Sequence, residues 1–210
     1  HIQSGKTANF TAVLAKAADV GYNFFIVIAG IYNDLRLQTQ DRLNDELIKP
    51  KLNYPVGKGW IKLTDDEDFD GEKIDYQLLQ SNDIKIMVIK KHHAILPKVY
   101  TWLSNANKEG LLINKKTILI DDEADLATIN TAKHITGNYQ QEHEDYNIEK
   151  DEINATITNE YIRKIRNIFN SVVYLGYTAT PFANVLIEPF EEDPKLGKTL
   201  YPRNFISSLP

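Results

Sequence analysis

The chain has no cysteine. That excludes disulfides and thiolate-ligated metal sites, and it fits a reducing compartment, so cytoplasm is the expected location. No apolar run approaches the ~18 residues that a membrane-spanning helix needs, so no membrane segment is read. There is no surplus of positive charge. With 24 Lys and Arg against 29 Asp and Glu the net charge is −5, which argues against a basic nucleic-acid sleeve, although Lys90-Lys91 and Lys115-Lys116 remain as local basic pairs. There is no internal repeat and no initiator Met. What remains is ordinary for a globular protein: 42% hydrophobic and 25% charged residues over 210 positions, enough for one well-buried domain.

Hydrophobic patterning alternates between two kinds of segment. Phe10, Val13, Leu14, Ala17 and Ala18 fall at helical spacing between Lys6 and Val20, with Gly21 as a stop. "NFFIVIAG" is short, continuous and β-rich, as a strand buried on both faces would be. "NDLRLQTQDRLNDEL" reads as a helix, "IKIMVIK" as a strand, and "ILPKVYTWLSNANKEG" as a helix with a late or kinked start at Pro97. "KKTILIDDEAD" is a strand running into an acidic loop. "EINATITNEYIRKIRNIF" puts Ile153, Ile157, Ile162, Ile165 and Phe169 near one helix face, and "SVVYLGYTATP" is a fourth strand. Strands separated by helices imply an α/β fold with a mostly parallel sheet. Residues 50–80 and 131–150 break the rhythm as polar insertions, and residues 188–210 read as a tail or linker.

Three motifs carry chemistry. "SGKT" matches the end of G-x-x-x-x-G-K-[ST], the loop that cradles nucleotide phosphates. The first glycine would fall one residue before His1, so the sequence is expected to be a piece of a longer protein. Gln3, Ser4, Gly5, Lys6 and Thr7 are the candidate ATP-binding residues, with Lys6 reaching the β- and γ-phosphates and Thr7 holding Mg²⁺. Taken alone, the tetrapeptide is equally a surface turn with a solvated lysine. "TILIDDEAD" puts Asp122 and Glu123 after a buried strand, where open α/β sheets bind ligands. Asp122 suits Mg²⁺ and Glu123 suits positioning or deprotonating the attacking water; the bland reading is an acidic loop. "YLGYTATPFAN" ends at the same rim and offers Thr178 and Thr180 as partners for a carboxylate or a phosphate-bound water, or is simply a Thr-rich turn closed by Pro181.

In this order "SGKT", "DEAD" and "TAT" resemble motifs I, II and III of the superfamily-two helicases and translocases. The chain is most similar to the Z-one domain family, a bacterial group described as putative endonucleases and associated with restriction or phage defence. "HIQSGKTANFTAVLAKAADVGY", "IVIAGIYNDLRLQTQDRL", "ILIDDEADLATINT" and "LGYTATPFANVLIEP" carry the resemblance, from His1 to about Pro189. It implies a RecA-like three-layer motor domain over residues 1–187, lacking the strand before the phosphate loop. The third-motif strand would lie between that missing strand and the "DEAD" strand. Lys6, Asp122 and Glu123 would be catalytic, with ATP and Mg²⁺ as cofactors. Asp125, Thr178 and Thr180 would couple the ATP site to nucleic acid, and Arg36, Gln38 and Gln40 would contact it, or form an exposed polar helix face. Duplex DNA and a second motor domain are the implied partners. That second domain supplies an arginine finger, a contribution on the order of 10³–10⁵ in related NTPases, so these residues alone are expected to hydrolyse ATP feebly or not at all.

Other features stay without a role. Asp193-Pro194-Lys195 is an Asp-x-Lys in a segment without strand character, which is poor ground for a nuclease site. The run Asp65, Asp66, Glu67, Asp68 and Asp70 misses the EF-hand pattern. His92-His93 point opposite ways on an extended chain, and His134 and His143 have no thiolate partners, so no zinc is assigned. A module that binds ATP to change partners without moving DNA is the alternative reading of the whole.

Overall fold

The structure, a computed structural model, describes residues 3–49, 59–125, 145–180 and 192–207, with backbone only for Gln3, Ser4 and 145–152. The insertion at 131–144 with its two histidines, residues 50–58 of the first insertion, and 181–191 with Pro181 lie outside the described residues.

Helix α1 (Gln3–Asp19) leads into β1 (Phe24–Ala29), followed by α2 (Asn33–Leu43), which ends in a π-helical turn at Asn44–Ile48. A short strand β2 (Trp60–Lys62) and a 3-10 turn (Tyr76–Gln80) precede β3 (Ile84–Lys90). Then come α3 (Leu96–Lys108), β4 (Lys116–Asp122), α4 (Asp145–Ile168) and β5 (Ser171–Tyr177). A small hairpin, β6 (Glu192–Asp193) and β7 (Gly197–Lys198), closes the described chain. The large sheet has the order β2-β3-β1-β4-β5, and every pairing in it is parallel.

The continuous apolar strands are explained by burial on both faces. Phe24, Ile26 and Ile28 join Met87, Ile89 and Leu119 under α3 and α4, where Val99, Leu103, Ile162 and Ile165 complete one core. Phe25, Val27 and Ala29 turn the other way, with Ile86, Val88, Ile118 and Ile120, to meet Phe10 and Leu14 of α1 and Leu43 at the end of α2. Helices on both faces of a parallel sheet make the α/β, RecA-like three-layer architecture. Among the described residues no helix is long and apolar enough to cross a membrane.

Three readings of the sequence need correction. The 50–80 stretch is not wholly irregular: Trp60 stacks on Phe25 and adds β2 to the sheet edge. The second insertion yields to α4 already at Asp145, and Ile153 on that helix is exposed while Ile162, Ile165 and Phe169 are buried. From Glu192 the tail is docked rather than linker-like. Arg166 donates to the carbonyls of Lys198 (2.5 Å) and Thr199 (3.1 Å), Asn167 donates to Leu196 O (2.8 Å), and Leu200 enters the core. Pro97 simply occupies the first turn of α3, where its missing N–H costs nothing.

Of the two basic pairs, Lys91 and Lys115 are buried, whereas Lys90 is half-buried and Lys116 exposed. Lys85 and Lys115 are both buried at the N-terminal end of the strands, and Lys85 Nζ donates to Ser81 O (2.6 Å), Ser81 Oγ (2.5 Å) and Asp83 O (2.9 Å). Burial, and then the like charge of Lys115, bring Lys85 down to about 8 from 10.5. The unfolded chain therefore holds this proton more tightly than the fold does. Stability is expected to rise as pH climbs from about 8 towards 10.5. Urea unfolding across that range checks this, and the rise should be smaller in Lys85→Met, where Lys115, also lowered by burial, still contributes.

Candidate functional site

The two helical layers determine where the chain opens. After β1 the chain crosses to α2 on one face, whereas β4 is entered from α3 and left towards α4 on the other. The connections diverge at the C-terminal ends of β1 and β4, and such a switch point is where doubly wound sheets leave a crevice. Alternation along β4 then sorts its acidic end. Leu119 and Asp121 face α3 and α4, whereas Ile120 and Asp122 face α1.

On the α1 side, Lys6 in the first turns of the helix meets the end of β4. Its Nζ lies 2.5 Å from Glu123 Oε1 and 3.9 Å from Asp122 Oδ1. The three side chains are between 11% and 18% exposed, so their pairing is only partly screened. Burial drives the Asp122 carboxyl above its usual range, Lys6 pulls it back, and the neighbouring Glu123 charge raises it again. Two carboxylates face one ammonium, a donor set that leaves negative charge for a further cation. Tyr177 anchors the helix from β5, donating to Asn9 Oδ1 (2.9 Å) and packing its ring edge-on to Phe10.

The turn that aims Glu123 is strained. Glu123 has φ +53°, left-handed for a residue with a Cβ, at a cost of ~1–3 kcal/mol. Ala124 N donates to Tyr177 O (2.8 Å) and Glu123 N to Asp122 Oδ1 (3.1 Å). The close approach of this turn to β5 requires Gly176, since a Cβ there would sit 3.1 Å from Ala124 Cβ. One residue on, Asp125 accepts from Thr178 Oγ1 (2.6 Å) and from the Thr180 hydroxyl. Burial pushes the Asp125 carboxyl up, but those hydroxyls outweigh it and hold it below the usual range.

On the opposite side of β4 lies a group the sequence reading missed. Lys91 and Asp121 are both fully buried, with Nζ 2.6 Å from Asp121 Oδ1. Tyr174 OH donates to Asp121 Oδ2 (2.8 Å), and Lys91 Nζ also donates to the carbonyls of Asp122 and Glu123, each at 2.7 Å. Lys91 follows β3, so its side chain spans the end of β1 to reach β4, while its own N–H bonds to Ala29 O and Gly30 O. The available signal was strand alternation: Asp121 shares the inward face of Leu119, and a buried carboxylate requires a partner.

Sequence reasoning thus named Lys6, Asp122 and Glu123, which the fold brings together, and Asp125, Thr178 and Thr180, which it also brings together. Gln3, Ser4, Gly5 and Thr7 share the N-terminal turns of α1, where backbone N–H groups lack helical acceptors. Among the described residues, a Cβ on Gly5 would meet nothing within 4 Å. Arg36 and Gln40 are corrected. Arg36 is fully buried and donates to Asp65 O (2.9 Å), Asp66 O (2.7 Å) and Val88 O (3.4 Å). Gln40 is buried between Asn44 and Thr64, and of the three only Gln38 is exposed. An open depression of about 380 Å³ lies apart from this site, beside β2, lined by Lys62, Asp65, Asp66, Asp68 and Lys73. Among the described residues no group of three or more His, Asp and Glu side chains is arranged to hold a metal ion.

The chain was compared with family models, curated proteins and solved structures, and none of them matches.

Arg36 holds the acidic loop to α2, so Arg36→Ala should cost about 1.5–3 kcal/mol in urea unfolding, the value of hydrogen bonds from a buried charged donor. Gln38→Ala should stay within about 0.5 kcal/mol.

Proposed function

We propose that this chain is the ATP-binding and ATP-hydrolysing motor domain of a superfamily-two, Z-one-like protein acting on duplex DNA. The observation that carries the reading is the meeting of Lys6 with Asp122 and Glu123, 116 and 117 positions further along the chain, at the N-terminus of α1 and the C-terminal rim of a parallel sheet. The donor set fits ATP·Mg²⁺. The N-terminal turn of a helix and the Lys6 ammonium beside it suit a polyphosphate. One carboxylate suits a Mg²⁺ that takes its other ligands from phosphate and water, without an all-protein cage. When bound, the ion would neutralise charge developing on the transferred phosphoryl group.

The chain's own residues then have distinct tasks. Lys6 exchanges Glu123 for the phosphates, which frees the Glu123 carboxylate to orient the attacking water and accept its proton. Asp122 and Thr7 would hold the metal side of the nucleotide. Asp125, tied to Thr178 and Thr180, links the turn after β4 to the end of β5 and so reports occupancy to the far end of the rim. Duplex DNA and the link to restriction or phage defence rest on the motif resemblance. The burial of Arg36 and Gln40 favours a second reading, a nucleotide-regulated interaction module without DNA movement.

Lys6→Ala should weaken ATP binding about 10–100-fold, the loss of a charge-assisted contact. Glu123→Gln should keep ATP bound while turnover of the full-length protein drops about 10²–10⁴-fold. Equilibrium binding and steady-state hydrolysis, with and without duplex DNA, check both. Turnover stimulated by DNA and lost in Glu123→Gln supports the motor, turnover indifferent to DNA supports the interaction module, and an undiminished Glu123→Gln rate contradicts the role given to Glu123. Gly5→Ala should separate binding from folding: the helix gains up to ~1 kcal/mol, read by thermal unfolding, while ATP affinity falls.

A further inference from the structure

We propose that Lys91 is the positioning residue of this site: from the opposite face of the sheet it fixes the backbone turn that aims Asp122 and Glu123 at α1. The inference rests on the ATP reading above, and three observations carry it. First, its ammonium is fully enclosed and committed to one short arc of chain, the Asp121 carboxylate and the carbonyls of Asp122 and Glu123. Second, one of those carbonyls belongs to Glu123, whose left-handed backbone is the strained point of the turn. A donor on its carbonyl holds a conformation that the residue would otherwise leave. Third, Lys91 reaches this arc across the crevice between β1 and β4, while its own N–H is tied to Ala29 O (3.1 Å) and Gly30 O (3.3 Å). β3, β1 and β4 are therefore joined through one residue, by its backbone N–H and its ammonium.

Lys91 touches no reacting atom in this scheme. It acts through the main chain of Asp122 and Glu123, and Asp121 with Tyr174 keeps its charge compensated. Its removal should change the rate of hydrolysis more than the capture of nucleotide, because Lys6 and the α1 N-terminus do not depend on it.

The test uses the full-length protein carrying Lys91→Met together with Asp121→Asn, which removes the ammonium without leaving a buried charge unpaired. The expected result is a kcat about 10–100-fold lower, the usual effect of losing a group that orients a ligand from behind. Mg²⁺-free ATP affinity should stay within about threefold of wild type, and the thermal midpoint should stay close to it. Hydrogen exchange at the Ala124 amide should quicken. A folded double variant with wild-type kcat and wild-type Ala124 exchange would overturn the proposal. Should the double variant fail to fold, Tyr174→Phe takes its place, since it removes only the hydroxyl that holds Asp121. Its kcat should fall with ATP affinity kept, and an unchanged kcat overturns the proposal. A wild-type protein that binds no ATP contradicts the function proposed above instead. The positioning role is then decided by Ala124 exchange alone, where no change on losing Lys91 overturns it.

Discussion

Three consecutive acidic residues close a buried strand, and the arrangement of this rim follows from where each finds a cation. Alternation sends Asp121 to one face and Asp122 to the other. Lys91 meets the first from beneath the crevice, and Lys6 meets Asp122 and Glu123 from the start of α1. The two lysines differ in kind. Lys91 is enclosed and saturated, and breaking its pair by removing one partner would cost ~3–5 kcal/mol. Lys6 keeps some exposure, and in the function proposed above it exchanges Glu123 for phosphate. A cation enclosed behind the strand then holds the turn that faces the proposed nucleotide site.

The same division explains the charge economy of the domain. The chain is acidic overall, yet several of its basic groups are spent indoors. Lys85 and Lys115 sit under the N-terminal end of the sheet, Arg36 ties the acidic loop to α2, and Arg166 docks the terminal hairpin. Counting basic residues along the sequence overstates what a nucleic acid would meet. This bears on the partner, since the contacts expected from α2 reduce to Gln38 among the three candidates.

Much of the fold was legible because a buried parallel strand has a distinctive signature. "FFIVIA", "IKIMVIK" and "TILID" are continuous, β-branched and short, and each became a strand of the sheet. The amphipathic helix α3, between the second and third of these strands, was equally plain. What escaped was set by tertiary packing. The strand Trp60–Lys62 is too short to show a period and exists because Trp60 stacks on Phe25. Arg36 and Gln40 lie on a helix with no apolar face to speak of, so nothing local distinguished them from exposed polar residues; their burial depends on the loop that folds over them. At the site, Lys6, Asp122 and Glu123 could be named from motif spacing, whereas Lys91 looked like half of a basic pair. Only the register of β3, β1 and β4 reveals that it crosses to Asp121.

The central claim is that Lys6 serves as a movable ammonium shared between Glu123 and a bound polyphosphate. The most direct measurement is a crystal structure of the full-length protein with a non-hydrolysable ATP analogue and Mg²⁺. The account predicts phosphates at the N-terminus of α1, Lys6 Nζ turned from Glu123 to the β- and γ-phosphates, and Lys91 unmoved on Asp121 and the Asp122–Glu123 carbonyls. A nucleotide bound elsewhere with the Lys6–Glu123 pair intact would contradict it.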